Sequence, residues 1–493
     1  MFQTICKTIP KDPDYPERVH CHEVMTRILD GRFYDNLQHS FHEEIDVSNK
    51  YIPLRSRRPC TKYNLSATVV DDSVSLLFSE GHFPDIDCIE PTTRNSLIAL
   101  AKESHLNGVM VDAAIKGSVG SIAILFQILN NRVYFRVYST QYLTPVWDKN
   151  APDTLAACAE QYKLNGECLI AAGYVIAKED LKSIFWFRRE WTKDAEVWFA
   201  PLKVSDLKDG KPFVADDKNT VKHNLGFVPM VWVKNLPGGN DIDGACTFSR
   251  AIDNQIEIDY QLSQDGRALK YAGDPIKVIK DDEGRESVQI IGAANAIKVS
   301  QEGDVKLLEI TGNASAAVIE YVRTLREFAL EAIHGNKANA DKLSAAQSGR
   351  SMELMNQPLV WLADRLRISY GEGALIDLLR MVVKANQKFK LIIAGEPVAI
   401  GTLTEKANVL LRWPAWYQPT PTDRQSTATA LDTHVKGGIM SEETATKAIA
   451  ADYDIEDIPG ERAACESDKQ ANMKMEKELM PKPVQPVSNK TTQ

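Results

Sequence analysis

Residues 247–335 spell helix, short strands, helix, and this bracket constrains the fold more than any other feature of the chain. In the first helical stretch, about 247–272, Ile252, Ile256, Tyr260 and Ser263 share one face, with Ile258, Leu262 and Leu269 nearby. Its polar side carries Asp253, Glu257, Asp259 and Asp265 against Arg267 and Lys270, and Asp274-Pro275 stops it. Residues 275–310 then alternate in short strands, with turns at Asp281–Gly284 and Gln301–Asp304. The second helix follows the i, i+3, i+4 rule through Val318, Tyr321, Val322, Leu325, Phe328, Ala329, Ala332 and Ile333, and Gly335 terminates it.

What comes next narrows the choice further. Residues 336–349 are small, polar and rich in helix breakers, so they read as an exposed loop. A long helical pattern spans about 350–387, with Leu359, Leu362, Ala363, Leu366, Ala374, Leu375, Leu378, Leu379, Val382 and Val383 as its buried stripe. Pro358 lies inside it, and Gly371 and Gly373 interrupt it, so a kink is expected there. Residues 390–394 and 397–403 read as a hairpin around Gly395-Glu396, and 407–413 as another strand. The remainder is helical and polar. Thr422-Asp423-Arg424-Gln425 fits a capping box, and Ser441 caps a further helix. The tail from residue 480 is rich in Pro, Ser, Thr and Lys and reads as disordered.

The first 246 residues mix both periods. Helices are expected over 17–38, 63–79 and 94–116. A basic loop, Pro53 to Pro59, lies between the first two and reads as solvated, with a phosphate or partner contact as the alternative. Runs 120–126 and 132–138 form a hairpin about Asn130-Asn131. Further strands are expected at 168–177, 183–191, 195–201 and 227–233. Phe185, Trp186, Phe187, Trp191, Trp198 and Phe199, interleaved with Arg188 and Arg189, suit the packing of a sheet better than a nucleic-acid platform.

Composition removes several classes. The chain has 493 residues, more than one ordinary core of roughly 100–200 residues holds, so it is several domains or one elaborated one. The longest uncharged stretch, Gly117 to Asn131, is 15 residues, short of the ~20 a membrane span needs. The N-terminus lacks the apolar core of a secretory signal, and the eight cysteines, none in a CxxC pair, are expected as reduced thiols. No phosphate loop, HExxH, GxSxG or GxGxxG occurs, so no catalytic residue and no cofactor is expected. His20-Cys21-His22, with His39 and His42, is the nearest thing to a metal cluster, but neighbours on one helix point apart. Asp71-Asp72 and Asp281-Asp282-Glu283 lack a third ligand at a telling spacing and read as solvated turns. No metal site is expected.

The order of elements resembles the portal proteins, the head-to-tail connectors of tailed double-stranded DNA bacteriophages. Four phrases carry the resemblance: YNLSATVVDDSVSLLFSEGHFP, HNLGFVPMVWVKN, SAAQSGRSMELMNQPL, and WPAWYQPTPTDRQSTATAL with GGIMSEETATKAI after it. It covers about residues 15–470. The resemblance implies an α+β portal fold with an α/β wing (1–246), a two-helix stem (247–273 and 313–335) and a small β clip (274–312). It further implies a tunnel loop (336–349), a long kinked wing–crown helix (350–387), wing strands (388–416) and an α-helical crown (417–479), followed by the tail (480–493). It implies a ring, typically of twelve subunits, at one capsid vertex, with assembly in the host cytoplasm. Viral double-stranded DNA would pass through it, the terminase large subunit and then a head-completion or tail adaptor would dock on it, and the major capsid and scaffolding proteins would surround it.

Charge fits that implication. The 58 Lys and Arg face 67 Asp and Glu, a net charge of -9, which argues against a tight DNA binder. Phosphate contacts would brake moving DNA, because each adds affinity through counterion release. Five acids (Asp253, Glu257, Asp259, Asp265, Asp274) against Arg267 and Lys270 in the first stem helix suit a weakly repulsive wall. Lys337, Lys342 and Arg350 lie in or beside the tunnel loop, either touching phosphates briefly or serving as ordinary solvated charges. Asp281, Asp282, Glu283 and Arg285 mark the clip tip, which suits motor docking and equally plain turn chemistry. The competing readings are a metal-dependent hydrolase using Asp71-Asp72 or His20/His22, and a minor capsid or scaffold protein without a channel.

Overall fold

The computed structural model describes residues 1–273, 278–280, 297–299, 312–335, 353–354, 356–393, 400–404, 408–417, 420–450, 455 and 457–479. They are a mixed α+β structure, and fall in two compact units. The larger holds residues up to 343 and 353–416; the smaller holds 344–352 and 417–493.

In the larger unit, α1 (Glu17–Leu29) is shorter than the periodicity suggests. Gly31 takes a left-handed φ of 71° and turns the chain out of the helix, although Phe33 and Leu37 beyond it are still buried. Helix α2 (Leu65–Phe78) begins at Asn64, whose side chain accepts from the Ala67 amide. Strand β1 (Asp85–Asp87) precedes α3 (Pro91–Glu103) and α4 (Leu106–Gly117). The sequence suggests one helix over that last stretch, but His105 sits at φ 50° and divides it.

Strands β2 (Ser121–Leu129) and β3 (Arg132–Ser139) form the expected hairpin, with Asn130 and Asn131 at φ 51° and 63°, the conformation a tight two-residue turn requires. Strands β4 (Leu143–Trp147) and β5 (Leu155–Asn165) are not expected from sequence. Leu155–Asn165 is small and polar, and is a strand because β4 and β6 (Ile184–Trp191) flank it on both edges. The strand expected at 168–177 is instead a short helix, Gly166–Ala171, because the Asn165 side chain caps it through the Cys168 amide at 2.8 Å. Strand β7 (Ala195–Trp198) and the two-residue strands Leu202–Lys203 and Val221–Lys222 complete a six-stranded sheet. Its aromatics are core: Phe185, Trp186, Phe187 and Trp191 are all buried. Strand β8 (Met230–Lys234) pairs with β2 to make a separate three-stranded sheet.

Helix α5 (Ile252–Gly273) follows a 3₁₀ turn, Ser249–Ala251. Of residues 274–311, β9 (Val278–Lys280) and β10 (Ile297–Val299) are described and pair in parallel. Helix α6 (Gly312–Ala332) follows. The long helix is divided into α7 (Gln357–Leu366), a π-helical stretch (Arg367–Leu375) and α8 (Ile376–Asn386). Pro358 does not kink it. Pro358 lies in the first turn of α7, where its missing amide hydrogen has no partner to lose. The interruption comes at Arg367–Leu375, the stretch that holds Gly371 and Gly373 as expected, and there Gly371 leaves room for the indole of Trp413 to lie against the backbone. Strand β11 (Leu410–Arg412) pairs antiparallel with β1. Leu77, Met110, Ile124, Leu362, Tyr370 and Leu378 belong to one core that joins α2, α4, β2 and the long helix.

The smaller unit contains α9 (Pro421–Lys436), α10 (Glu442–Ile449) and α11 (Ile458–Leu479). The capping box of α9 pairs Thr420 with Asp423, two residues ahead of the expected Thr422. Ser441 caps α10 as expected. Neither α9 nor α10 buries a residue, and Glu443–Arg462 and Glu442–Lys469 ion pairs at 3.6 and 3.4 Å join α10 to α11.

Candidate functional site

Helices α5 and α6 run antiparallel. Asp265, near the end of α5, accepts from the Ser315 hydroxyl, near the start of α6, at 2.9 Å, and the 3₁₀ turn ahead of α5 also packs on α6. The end of α5 and the start of α6 are therefore neighbours, and residues 274–311 join them in sequence.

The buried face of α5 carries an unexpected set of polar acceptors. Gln255, Asp259 and Ser263, four residues apart, receive the backbone amides of Ser66, Tyr63 and Thr61 at 3.1, 2.6 and 3.0 Å. Four residues of helix advance about 6 Å and two of extended chain about 6.6 Å, so Thr61 and Tyr63 match the spacing of Ser263 and Asp259. Ser66 lies three residues beyond Tyr63, in the first turn of α2. Tyr260 adds a fourth tie, donating to the Arg57 carbonyl at 2.8 Å, while the buried Arg57 guanidinium donates to the Ile52 carbonyl at 3.0 and 2.8 Å. The basic loop is therefore not wholly solvated: Arg57 is a structural residue, while Arg55 and Arg58 remain exposed.

Asp259 is the charged rung of this ladder. Burial pushes its carboxyl up to about 6, against the opposing pull of the Tyr63 amide, the Tyr34 hydroxyl and the nearby Lys62. The reading of Asp259 as part of an acidic outer wall is therefore corrected: it is 1 % exposed and faces the core. Periodicity set Asp259 on the polar side; the tell was Ser263, four residues on and so on the same side of the helix.

The remaining residues separate. Asp253 is exposed and shares its face with Glu257, which accepts from Gln261 at 2.8 Å. Arg267 is engaged by Glu44, and Lys270 is exposed. Lys337, Lys342, Arg350, Asp281, Asp282, Glu283 and Arg285, with Asp274, lie outside the described residues.

The hydrolase candidates do not converge. His22 is buried and lies 3.2 Å from Asp243, which also receives Arg18 at 2.6 and 2.8 Å and Ser121. Burial opposes ionisation of Asp243, but the hydrogen bonds from His22, Arg18 and Ser121 outweigh it and hold the carboxyl well below the usual range. His20 lines a separate surface cleft with Glu23, Arg27 and Tyr142. Asp71 and Asp72 sit in the middle of α2, not on a turn. Among the described residues no three His, Cys, Asp or Glu side chains come together to hold a metal ion. None of the eight cysteines is in a disulfide, and no described helix is long and apolar enough to cross a membrane.

A family model described as phage portal protein, SPP1 Gp6-like, matches residues 62–467. No curated protein matches the chain.

Proposed function

The chain belongs to the phage portal protein family, SPP1 Gp6-like, and we propose that copies of it close into a ring of typically twelve subunits at one capsid vertex. Viral double-stranded DNA enters through the ring during packaging and leaves through it at ejection. On this reading residues 1–246 and 388–416 form the wing, 247–273 and 313–335 the stem, and 274–312 the clip. Residues 336–349 are the tunnel loop, 350–387 the wing–crown helix and 417–479 the crown. The clip tip, Asp281, Asp282, Glu283 and Arg285, docks the terminase large subunit and then the head-completion or tail adaptor. The major capsid and scaffolding proteins contact the outside of the ring, which assembles in the host cytoplasm.

The observation that carries this reading is the antiparallel pair α5 and α6, with the end of the first beside the start of the second and 38 residues, 274–311, between them in sequence. A stem built this way presents one small insert at its tip. The exposed Asp253 and the half-buried Glu257 beside it on α5 support a channel wall that repels phosphate weakly, since tight Lys and Arg contacts would hold DNA back. Lys337, Lys342 and Arg350 then supply brief cationic contacts from each subunit, with the exposed Lys270 further along the stem, while Arg267 is held by Glu44.

Electron microscopy of the purified protein tests this. Rings with a central hole are expected, on the order of 660 kDa for twelve copies of 55.0 kDa. A stable monomer at high concentration under every salt condition would sink the reading.

A further inference from the structure

The basic loop between α1 and α2 uses one of its arginines for the fold and leaves two outside it. Pro53 and Pro59 bound the loop, and the Ser56 amide closes a 3₁₀ turn on the Pro53 carbonyl at 2.9 Å. Leu54 packs on the core and Arg57, three residues on, is buried. The residues that follow each of them, Arg55 and Arg58, are exposed. Arg57 fixes this arrangement: its guanidinium donates to the Ile52 carbonyl, and its own carbonyl accepts from Tyr260. Two guanidiniums are thus held out from a fixed backbone.

The carboxylates nearby are already engaged. Glu44 receives Arg267 and lies 4.0 Å from Arg57. Glu43 lies 3.1 Å from His39, and Asp46 accepts the Ser48 and Lys50 amides at 2.8 and 2.9 Å. Among the described residues neither Arg55 nor Arg58 makes an ion pair or a hydrogen bond. From Lys50 to Lys62 the chain carries five cations and no acid, in a protein of net charge -9. A packed protein interface needs apolar side chains at its centre. The one long apolar side chain between Pro53 and Pro59, Leu54, is turned inward, so what the loop offers is cationic and polar. A planar guanidinium matches the oxygens of a phosphate with two parallel hydrogen bonds.

We propose that Arg55 and Arg58 form a contact for the phosphate backbone of double-stranded DNA. It reads no sequence, because phosphates carry none. Two cations per copy make a weak, salt-sensitive hold and not a tight one. The contact is complete within one copy, so it stands or falls apart from the ring reading.

The test titrates the full chain against a fluorescein-labelled DNA duplex by anisotropy, between about 50 and 200 mM KCl. The slope of log K against log salt is about -0.9 per phosphate neutralised. Arg55→Ala with Arg58→Ala is expected to make the slope shallower by about 2 for each copy the duplex touches, and to weaken binding on the order of tenfold at the low-salt end. Arg55→Lys with Arg58→Lys is expected to keep the slope, because the charges are kept. Thermal melts of both should match the wild type, since the two side chains are exposed. Lys178→Ala with Lys182→Ala removes the same charge from another exposed segment and is expected to leave the slope alone. A wild type that does not bind the duplex at low salt, an unchanged slope in the alanine variant, or an equal change in the Lys178 and Lys182 control overturns the contact. Binding of poly-glutamate that the alanine variant loses while it keeps the duplex overturns it as well, and assigns the two arginines to an acidic protein.

Discussion

The Tyr34 hydroxyl donates to the Asp259 carboxylate at 2.8 Å across 225 residues of sequence, and so anchors α5 to the N-terminal segment. Burial raises the Asp259 carboxyl to about 6, above its ordinary value of 3.8. A carboxyl raised on folding binds its proton more tightly in the folded state, so acidification from 6 toward 4 favours folding through this group. Asp259→Asn keeps an acceptor for the Tyr63 amide and a donor for Tyr34 without the charge. It is expected to stabilise the protein at pH 7.5 by up to about 3 kcal/mol. Melting curves from pH 4 to 8 check this: the advantage should shrink as pH falls toward 4. An advantage that grows on acidification contradicts the sign.

Asp243 behaves in the opposite sense. Its folded-state carboxyl lies below the ordinary range, so its contribution is present above about pH 4 and is lost on further acidification. Asp243→Asn leaves the mostly buried Arg18 guanidinium without its counter-charge, and a loss of about 3–5 kcal/mol is expected. Denaturant unfolding at pH 7 measures the loss. An equal loss at pH 3 would show that charge is not its origin.

Arg367 opens the π-helical stretch and lies 4.6 Å from the ring centre of Trp413 and 3.2 Å from that of Trp416, with the Pro414 carbonyl 3.4 Å from Nη2. Stacking of a planar cation is worth about 2 kcal/mol when desolvated. Arg367→Ala should cost about that much, and Arg367→Lys should recover little, since an ammonium does not stack. Full recovery by lysine in thermal melts would assign the site to charge alone.

Gly371 faces Trp413 so closely that an added Cβ collides with the indole. Gly371→Ala is expected to cost about 1–3 kcal/mol by overpacking. A Gly371→Ala Trp413→Phe pair, which shrinks the ring, should recover part of that. Two independent, additive losses would show that the two side chains do not meet.

Lys342 belongs to the proposed tunnel loop. Lys342→Ala is expected to leave ring assembly intact and to alter packaging yield or DNA retention. Unchanged packaged length and yield in a packaging assay remove Lys342 from the channel contacts.

Local chemistry was readable where one residue type decides the geometry. Asn130-Asn131 called for a left-handed turn and Ser441 for a helix start, and both are found. Periodicity failed where partners decide. Leu155–Asn165 has no strand pattern of its own, and Asn165 ends it by capping the helix that follows. On α5, Asp259 and Tyr260 are adjacent and both buried, because the segment 57–66 covers the helix over more than one stripe. A polar residue on a packed face is invisible to hydropathy until its hydrogen-bond partner, here an amide 196 residues away, is in place.

The three acceptors of α5 also set how a load could pass along it. Rolling the helix about its axis swings Gln255, Asp259 and Ser263 off their amides together, so torsion is stiff. Sliding it lengthwise by one turn would carry each acceptor about 6 Å and break all three bonds at once, so the lengthwise register of α5 is held as firmly as its rotation.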